Sequence, residues 1–369
     1  MPLKLLIGGG GTGGHIFPAL SIANAVKRHC PDAEILFVGA LGRMEMEKVP
    51  EAGYKIIGLP VAGFSRTKLW KNFGVLIKLW RSMRMARKIV KDFQPDVVVG
   101  VGGYASAPVV KRAQKSHIPT LIQEQNSYPG VTNKLLAAKA CKICVAYPEM
   151  NRFFPEEKIV ETGNPVRQAL TECNLTKAEA KKALGFNPDT PLVVSIGGSL
   201  GAATINEAIE AALPLLARNG INLFWQTGKI YADIAIPKAE PYVNVKAMPF
   251  VKQMDVAYRA ADLVVSRAGA GTISELELLG VPTILVPSPN VAEDHQRKNA
   301  MALTTRDAAL MILDAEAVEK LPEAIVKTVT DKELLDRLST NVKLLAKNKA
   351  DEKIARLVIE LAKNNQLKK

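Results

Sequence analysis

Two glycine-rich turns, at matching places in the two halves of the chain, constrain its fold most. The first runs Leu5-Leu6-Ile7-Gly8-Gly9-Gly10-Gly11-Thr12-Gly13-Gly14-His15. The second runs Leu192-Val193-Val194-Ser195-Ile196-Gly197-Gly198-Ser199-Leu200-Gly201-Ala202. In each, a short apolar run meets glycines and then a helix-forming stretch. That order predicts a buried parallel strand turning directly into a helix. Glycine lets the backbone come close to a ligand, and a helix start offers unpaired N–H groups to an anion. Two such turns predict an α/β chain built from two Rossmann-like domains facing each other across a cleft.

The rest of the chain keeps the same rhythm. Strands are predicted at Lys4–Ile7, Glu34–Val38, Val97–Val101, Thr120–Gln123 and Ile143–Ala146 in the first half. In the second they fall at Leu192–Ile196, Asn222–Gln226, Val243–Ala247, Leu263–Ser266 and Thr283–Val286. Helices are predicted at Pro18–Arg28, Trp80–Lys91, Ala107–Gln114 and Val131–Ala138, then at Thr204–Leu216, Met254–Ala260, Thr272–Leu279 and Asp294–Leu303. Thr162-Gly163-Asn164-Pro165 interrupts the alternation and marks the expected domain junction. The expected domains are 1–162 and 163–345, with a final helix over 346–369. The Lys- and Leu-rich tail from Asp331 reads as two helices.

With 369 residues the chain can bury two cores. Its net charge of +13 favours an anionic partner: nucleic acid, acidic lipid or a phosphorylated substrate. The 5% aromatic content and the lack of a recognised motif speak against nucleic acid. The apolar run Leu3–Ile7 is too short for a signal peptide. No apolar stretch reaches the roughly 18 residues that span a bilayer. The expectation is a cytoplasmic protein, and its four cysteines suit a reducing compartment. Cys141 and Cys144 form a lone CxxC, without a second pair for zinc. Cys144-Val145-Ala146 reads instead as the continuation of a buried strand.

Lys68–Lys91 stands apart. Leu69, Phe73, Leu76, Trp80, Met83, Ala86 and Val90 recur three or four residues apart. Lys71, Lys78, Arg81, Arg84, Arg87, Lys88 and Lys91 lie among them, with no acid between. Such a helix can lie on an anionic membrane. Equally, the apolar stripe can pack on the core while the bases are solvated. Both readings stay open, and they are compatible if the helix is bent or if only Leu69–Ile77 meets lipid.

The first turn matches GxGxxG at Gly8, Gly10 and Gly13. A dinucleotide fold also places an acid at the end of its second strand. Here that strand ends Phe37-Val38-Gly39-Ala40-Leu41-Gly42, with none. His15 stands where a phosphate-binding loop would need Lys. An imidazole at a turn mouth can take a proton from an attacking hydroxyl, or it can cap the helix and hold the loop. In the second half, Ser266-Arg267-Ala268-Gly269-Ala270-Gly271-Thr272-Ile273-Ser274-Glu275 opens another helix, whose N–H groups suit a diphosphate. Glu275, within the first turn or so, can accept from a ribose diol or simply favour the helix dipole. The chain holds no Asp-x-Asp pair to chelate a metal on a diphosphate. Helix N-termini and Arg167 would meet the departing charge instead.

Further motifs are Gly102-Gly103-Tyr104, Glu124-Gln125-Asn126, Gly163-Asn164-Pro165-Val166-Arg167 and His295-Gln296. Taken in order with the glycine turns, they resemble the MurG family of bacterial peptidoglycan N-acetylglucosaminyltransferases over nearly the whole chain. The resemblance implies a GT-B architecture, with the last helix crossing back to the first domain. It implies inverting transfer of GlcNAc from UDP-GlcNAc to the C4 hydroxyl of MurNAc in lipid I, undecaprenyl-pyrophosphoryl-MurNAc-pentapeptide. The product would be lipid II, made at the inner face of the cell membrane by a peripheral enzyme; the motifs call for no cofactor, and dependence on a divalent metal stays open.

By resemblance, the C-terminal domain holds the donor. The backbone at Phe250 and Val251 would read uracil, and Glu275 would bind ribose. Ser199, Thr272 and Arg167 would line the diphosphate, and Gln296 and His295 would bond the sugar. The acceptor would meet Thr12, Gly13, Gly14, His15, Gly103, Tyr104, Gln125 and Asn126. His15 would be the base, and Asn126 would orient the acceptor sugar. Leu200, Gln123 and Ala268 depart from the family's frequent Gln, His and Ser. A UDP-GlcNAc 2-epimerase shares the architecture and donor, but has no use for a basic amphipathic segment. A glycolipid synthase acting on diacylglycerol would have little use for a second anion-binding turn. A non-catalytic nucleotide-sugar sensor would have no use for His15.

Overall fold

The computed structural model describes residues 2–61, 72–198 and 200–367, without the side chains of 72, 73 and 292. The chain divides into two compact units: 1–167 together with 347–369, and 168–346.

In the first unit, β1 (Lys4–Gly8) leads into α1 (Gly13–His29), then β2 (Glu34–Ala40), α2 (Glu45–Glu51) and β3 (Lys55–Leu59). α3 (Asn72–Phe93), β4 (Val97–Gly100), α4 (Ser106–Lys115), β5 (Thr120–Glu124), α5 (Val131–Ala137), β6 (Lys142–Val145) and β7 (Ile159–Glu161) follow. The seven strands lie in the order β3-β2-β1-β4-β5-β6-β7, every neighbouring pair parallel. Leu5, Leu6 and Ile7 are fully buried, as expected of a strand covered on both faces. The winding reverses between β1 and β4, where loops leave a crevice at the strand ends. Both glycine-rich loops of this unit, 9–12 and 101–104, leave from those two strands.

The second unit begins with α6 (Gln168–Glu172), α7 (Lys177–Ala183), β8 (Leu192–Ile196), α8 (Ala203–Arg218), β9 (Asn222–Gln226) and α9 (Ala232–Ala239). It continues with β10 (Val245–Met248), α10 (Met254–Ala260), β11 (Leu263–Ser266), α11 (Ala270–Leu279), β12 (Thr283–Leu285), α12 (His295–Thr304) and β13 (Leu310–Met311). α13 (Ala317–Thr330) and α14 (Lys332–Leu344) close it. Its sheet runs β10-β9-β8-β11-β12-β13, again all parallel, with the reversal between β8 and β11. The loops after β8 and β11 are the two glycine-bearing segments that the sequence singled out in this half.

The last helix, α15 (Ala350–Gln366), belongs to the first unit. Its Ile354, Ala355, Val358 and Ala362 enter the core formed by Leu5, Ile7, Ile22 and Val26. Arg28 at the end of α1 donates to Asp351 at 2.6 Å and to Glu352, which His29 also meets. Asn365 and Gln366 reach the Asp96 carbonyl and carboxylate at 3.0 and 2.8 Å. The tail from Asp331 is indeed two helices, α14 and α15.

Several details differ from the sequence reading. α1 begins at Gly13 rather than Pro18, so Pro18 lies inside it. Lacking an N–H, Pro18 leaves the Gly14 carbonyl without its intrahelical donor. α2 and β3 were not anticipated. Thr162 and Gly163 donate to the Val145 carbonyl, both at 3.1 Å, and lie inside the first unit, which runs through Arg167. Cys144 lies in β6, where burial pushes its thiol up to about 12.

The basic helix divides its roles along its length. Ser82, Ala86, Ile89 and Val90 are buried, with Ala86, Ile89 and Val90 packed among Leu6, Val98 and Val110. Leu76, Ile77, Leu79 and Trp80 are 53, 45, 37 and 59% exposed. The expected seven-residue stripe therefore does not pack as one face; Leu76 and Trp80 stay outside the core. Arg84 lies 4.7 Å over the Trp80 ring. Leu69, Trp70 and the neighbouring bases Lys68 and Lys71 fall outside the described residues, as does the Phe73 side chain.

Candidate active site

In the first unit the glycine loop is shaped by contacts that admit no side chain. Gly10 and Gly11 have φ of +145° and +97°. A Cβ on Gly103 would come within 2.2 Å of the Gly10 carbonyl oxygen, so the loops after β1 and β4 nest backbone to backbone. Thr12 is the N-cap of α1, yet its hydroxyl makes no capping bond. It meets His15 Nδ1 instead, at 3.1 Å. Gly13 and Gly14 head the helix, where N–H groups lack intrahelical partners. The half-buried His15 ring lies against Gly102: Cδ2 and Nε2 are both 2.9 Å from where a Cβ there would be. Thr12, Gly13, Gly14, His15, Gly103 and the 58% exposed Tyr104 thus share one loop cluster.

Beneath it lies a residue the sequence reading passed over. Glu45, only 1% exposed, accepts from the Gly11 N–H at 3.0 and 3.1 Å and from the Ala40 N–H at 2.8 Å. A Cβ on Gly10 would sit 2.0 Å from its Oε1. In the sequence Glu45 is only the first of three acids, with Glu47 and Glu51, in the short segment after β2.

Glu124, also buried, is another internal carboxylate of this unit. It accepts from Asn126 N and Nδ2 at 3.0 and 3.2 Å, Gly130 N at 3.1 Å and Asn133 Nδ2 at 2.8 Å. Asn126 is therefore oriented by Glu124. Gln125 turns inward: its Nε2 donates to the Val101 carbonyl at 2.8 Å, and its own carbonyl accepts from Asn164. Its side chain, expected at the acceptor, braces the loop after β4. Gln123 holds Asn164 at 2.9 Å. Arg167, expected beside the donor diphosphate, ends the first segment of the first unit, 6.0 Å over the Phe17 ring of α1.

In the second unit, Gly201 and Gly228 pack against each other. A Cβ on Gly228 would lie 2.0 Å from Gly201 N. Neutral amides brace this loop. Asn206 bonds the Thr227 carbonyl at 2.8 Å and the Trp225 indole at 2.9 Å. Gln226 donates to the Gly198 carbonyl at 3.1 Å and accepts from Val251 N at 3.0 Å. The Val251 N–H, expected to read a base, is thus engaged by Gln226, while Phe250 is 52% exposed. Ser199 lies outside the described residues.

α11 has Gly269 as its N-cap, with no side chain to bond its first N–H groups, which leaves them for an anion, with Thr272 beside them. Glu275 lies in the second turn and is 7% exposed, so the first-turn dipole does not explain it. Arg267 is spent on the Val286 carbonyl and on Asp314, which also receives Thr204. Gln296 Oε1 accepts from Ser288 N at 2.9 Å, and His295 opens α12 after two residues of positive φ, Glu293 and Asp294.

The family model described as the glycosyltransferase family 28 N-terminal domain matches residues 5–145, and that of its C-terminal domain matches 192–356. The chain belongs to glycosyltransferase family 28. A relative in Phocaeicola vulgatus is 56% identical, over 98% of this chain and 96% of its own length. It is named UDP-N-acetylglucosamine--N-acetylmuramyl-(pentapeptide) pyrophosphoryl-undecaprenol N-acetylglucosamine transferase. The crystal structure of Acinetobacter baumannii MurG is 25% identical, with a TM-score of 0.77 over 97% of this chain and all of that one. The UDP-GlcNAc 2-epimerase of Neisseria meningitidis, bound to UDP-GlcNAc, has a TM-score of 0.68 over 98% of this chain and all of its own. At 12% identity it shares the fold alone. Family 28 thus accounts for the two glycine-looped sheets and the order of their motifs.

Proposed function

We propose that this chain transfers GlcNAc from UDP-GlcNAc to the MurNAc C4 hydroxyl of undecaprenyl-pyrophosphoryl-MurNAc-pentapeptide, with inversion. The observation that carries this reading is the 56% identity, nearly end to end, to a relative named for that reaction. The donor is assigned to the second unit. The first N–H groups of α11 and the loop after β8 meet the diphosphate there, Glu275 takes the ribose, and Gln296 and His295 take the sugar. The acceptor is assigned to the first unit, with its diphosphate at Gly13, Gly14 and Gly103.

His15 is the proposed base. With Nδ1–H donating to the Thr12 hydroxyl, Nε2 carries the lone pair that accepts the C4 hydroxyl proton. The hydroxyl oxygen forms the bond to C1 as the C1–oxygen bond to UDP breaks. A single in-line displacement inverts the carbon, and the UDP charge is met by backbone N–H groups. Asn126, held by Glu124, orients the acceptor sugar.

No described helix is long and apolar enough to cross a membrane. The exposed Leu76, Ile77 and Trp80, among Lys78, Arg81 and Arg84, support peripheral binding to the anionic cytoplasmic face of the cell membrane. The test is UDP release from UDP-GlcNAc with and without a soluble lipid I analogue. Acceptor-dependent release with a β-1,4-linked disaccharide is expected. Release without acceptor, together with ManNAc, would overturn the reading in favour of an epimerase.

A further inference from the structure

We infer that Glu45 is a positioning residue for the acceptor, and this rests on the transferase reading above. A carboxylate in a protein interior is costly unless its oxygens are hydrogen-bonded. Glu45 is buried at 1% exposure, and the partners described for it are backbone N–H groups, Gly11 and Ala40. Its side chain fills the room left by two missing Cβ atoms. A Cβ on Gly10 would meet Oε1 at 2.0 Å, and one on Gly39 would meet Cγ at 2.5 Å. The glycines at 10 and 39 are thus a cradle for this side chain, as well as a path for a ligand.

Two consequences follow for the site. The Gly11 N–H points inward to Glu45 and is not offered to an acceptor anion, unlike those of Gly13 and Gly14 at the start of α1. The Gly10 backbone that Glu45 underpins is the surface on which Gly103 rests, and the neighbouring Gly102 backs the His15 ring. Glu45 therefore fixes two loops and, through Gly102, the seat of the base, without touching substrate. Its partners lie in the first unit, so the donor site is independent of it.

The test separates acceptor from donor kinetics in the full-length enzyme. Glu45→Gln keeps the shape but presents an NH2 to a site lined with N–H donors. Glu45→Asp keeps the charge but is one methylene too short to reach both loops. For each, acceptor KM should rise about tenfold or more, the effect of losing a charge-assisted hydrogen bond. Donor KM and UDP affinity should stay as in the wild type. Gly10→Ala drives a methyl into the carboxylate without changing Glu45, and should copy the acceptor defect. UDP binding and the thermal melt of each preparation report folding. Wild-type acceptor KM in any folded variant would overturn the inference, as would equal losses for donor and acceptor. If Glu45→Gln and Glu45→Asp fail to fold, Gly10→Ala decides it alone. Wild-type enzyme without acceptor-dependent turnover would instead fail the transferase reading.

Discussion

The loops after β1 and β8 start alike, as a buried strand, a glycine turn and a helix, yet they are held differently. The first rests on an ionised side chain: Glu45 takes the N–H groups of Gly11 and Ala40. The second rests on neutral amides, Asn206 and Gln226, and on Gly228 packed against Gly201. The first is therefore bonded to a charge, and charge-assisted bonds are about twice as strong as neutral ones. A shared sequence motif specifies the shape of a turn, and the support beneath it is chosen separately. In the proposed reaction the two loops also serve different anions, one carried by a lipid and the other by a nucleotide.

The sharpest way to separate the loops is chemical. His15→Ala should lower kcat by about 10²–10⁴, the usual worth of a general base. UDP affinity, measured by calorimetry, should not change. Parallel losses in both would give the first loop a purely structural histidine.

Next comes stability. Glu45→Ala strands the buried Ala40 N–H, takes the bond to a charge from the Gly11 N–H as well, and should cost about 3 kcal/mol. Asn206→Ala breaks neutral bonds and should cost about 1.5 kcal/mol. Urea unfolding, followed separately for each unit, would read both. Equal costs would erase the distinction between charged and neutral bracing.

Donor binding comes third. Glu275→Ala should weaken UDP binding by about 1.5–3 kcal/mol, the scale of a hydrogen bond to a charged group. It should leave the acceptor KM alone. The smallest effect lies away from both loops. Replacing Leu76 and Trp80 by Ser should lower partitioning onto anionic vesicles by about tenfold, as exposed apolar area is lost. Turnover of a soluble acceptor should be unchanged, and unaltered vesicle binding would end the membrane role of α3.

Much of the fold was legible because parallel strands write themselves as short apolar runs. Leu192–Ile196 and Asn222–Gln226 fall where the structure has β8 and β9. α2 and β3 were missed: α2 is a seven-residue helix holding Pro50, and β3 is an edge strand with little apolar contrast. Glycines concealed the start of α1, since Gly13 and Gly14, which open it, have poor helix propensity. The glycine loops, His15 and Glu275 announced themselves by type and position. Glu45 did not, because its partner Gly11 lies 34 residues away, and no local pattern encodes a bond across two strands. For the same reason the inward turn of Gln125 and the engagement of Val251 by Gln226 could not be read from their neighbours in sequence.

The return of α15 to the first unit carries a consequence for biosynthesis. The second unit is one uninterrupted stretch, 168–346, and can fold as soon as it emerges. The first unit is made earlier but completed later, since Ile354, Val358 and Ala362 fill its core. Until α15 leaves the ribosome, the apolar side of α1 around Ile22 and Val26 lacks that cover. The half of the protein made first therefore waits longest for its core to close, and a stop codon ahead of α15 would leave that core open.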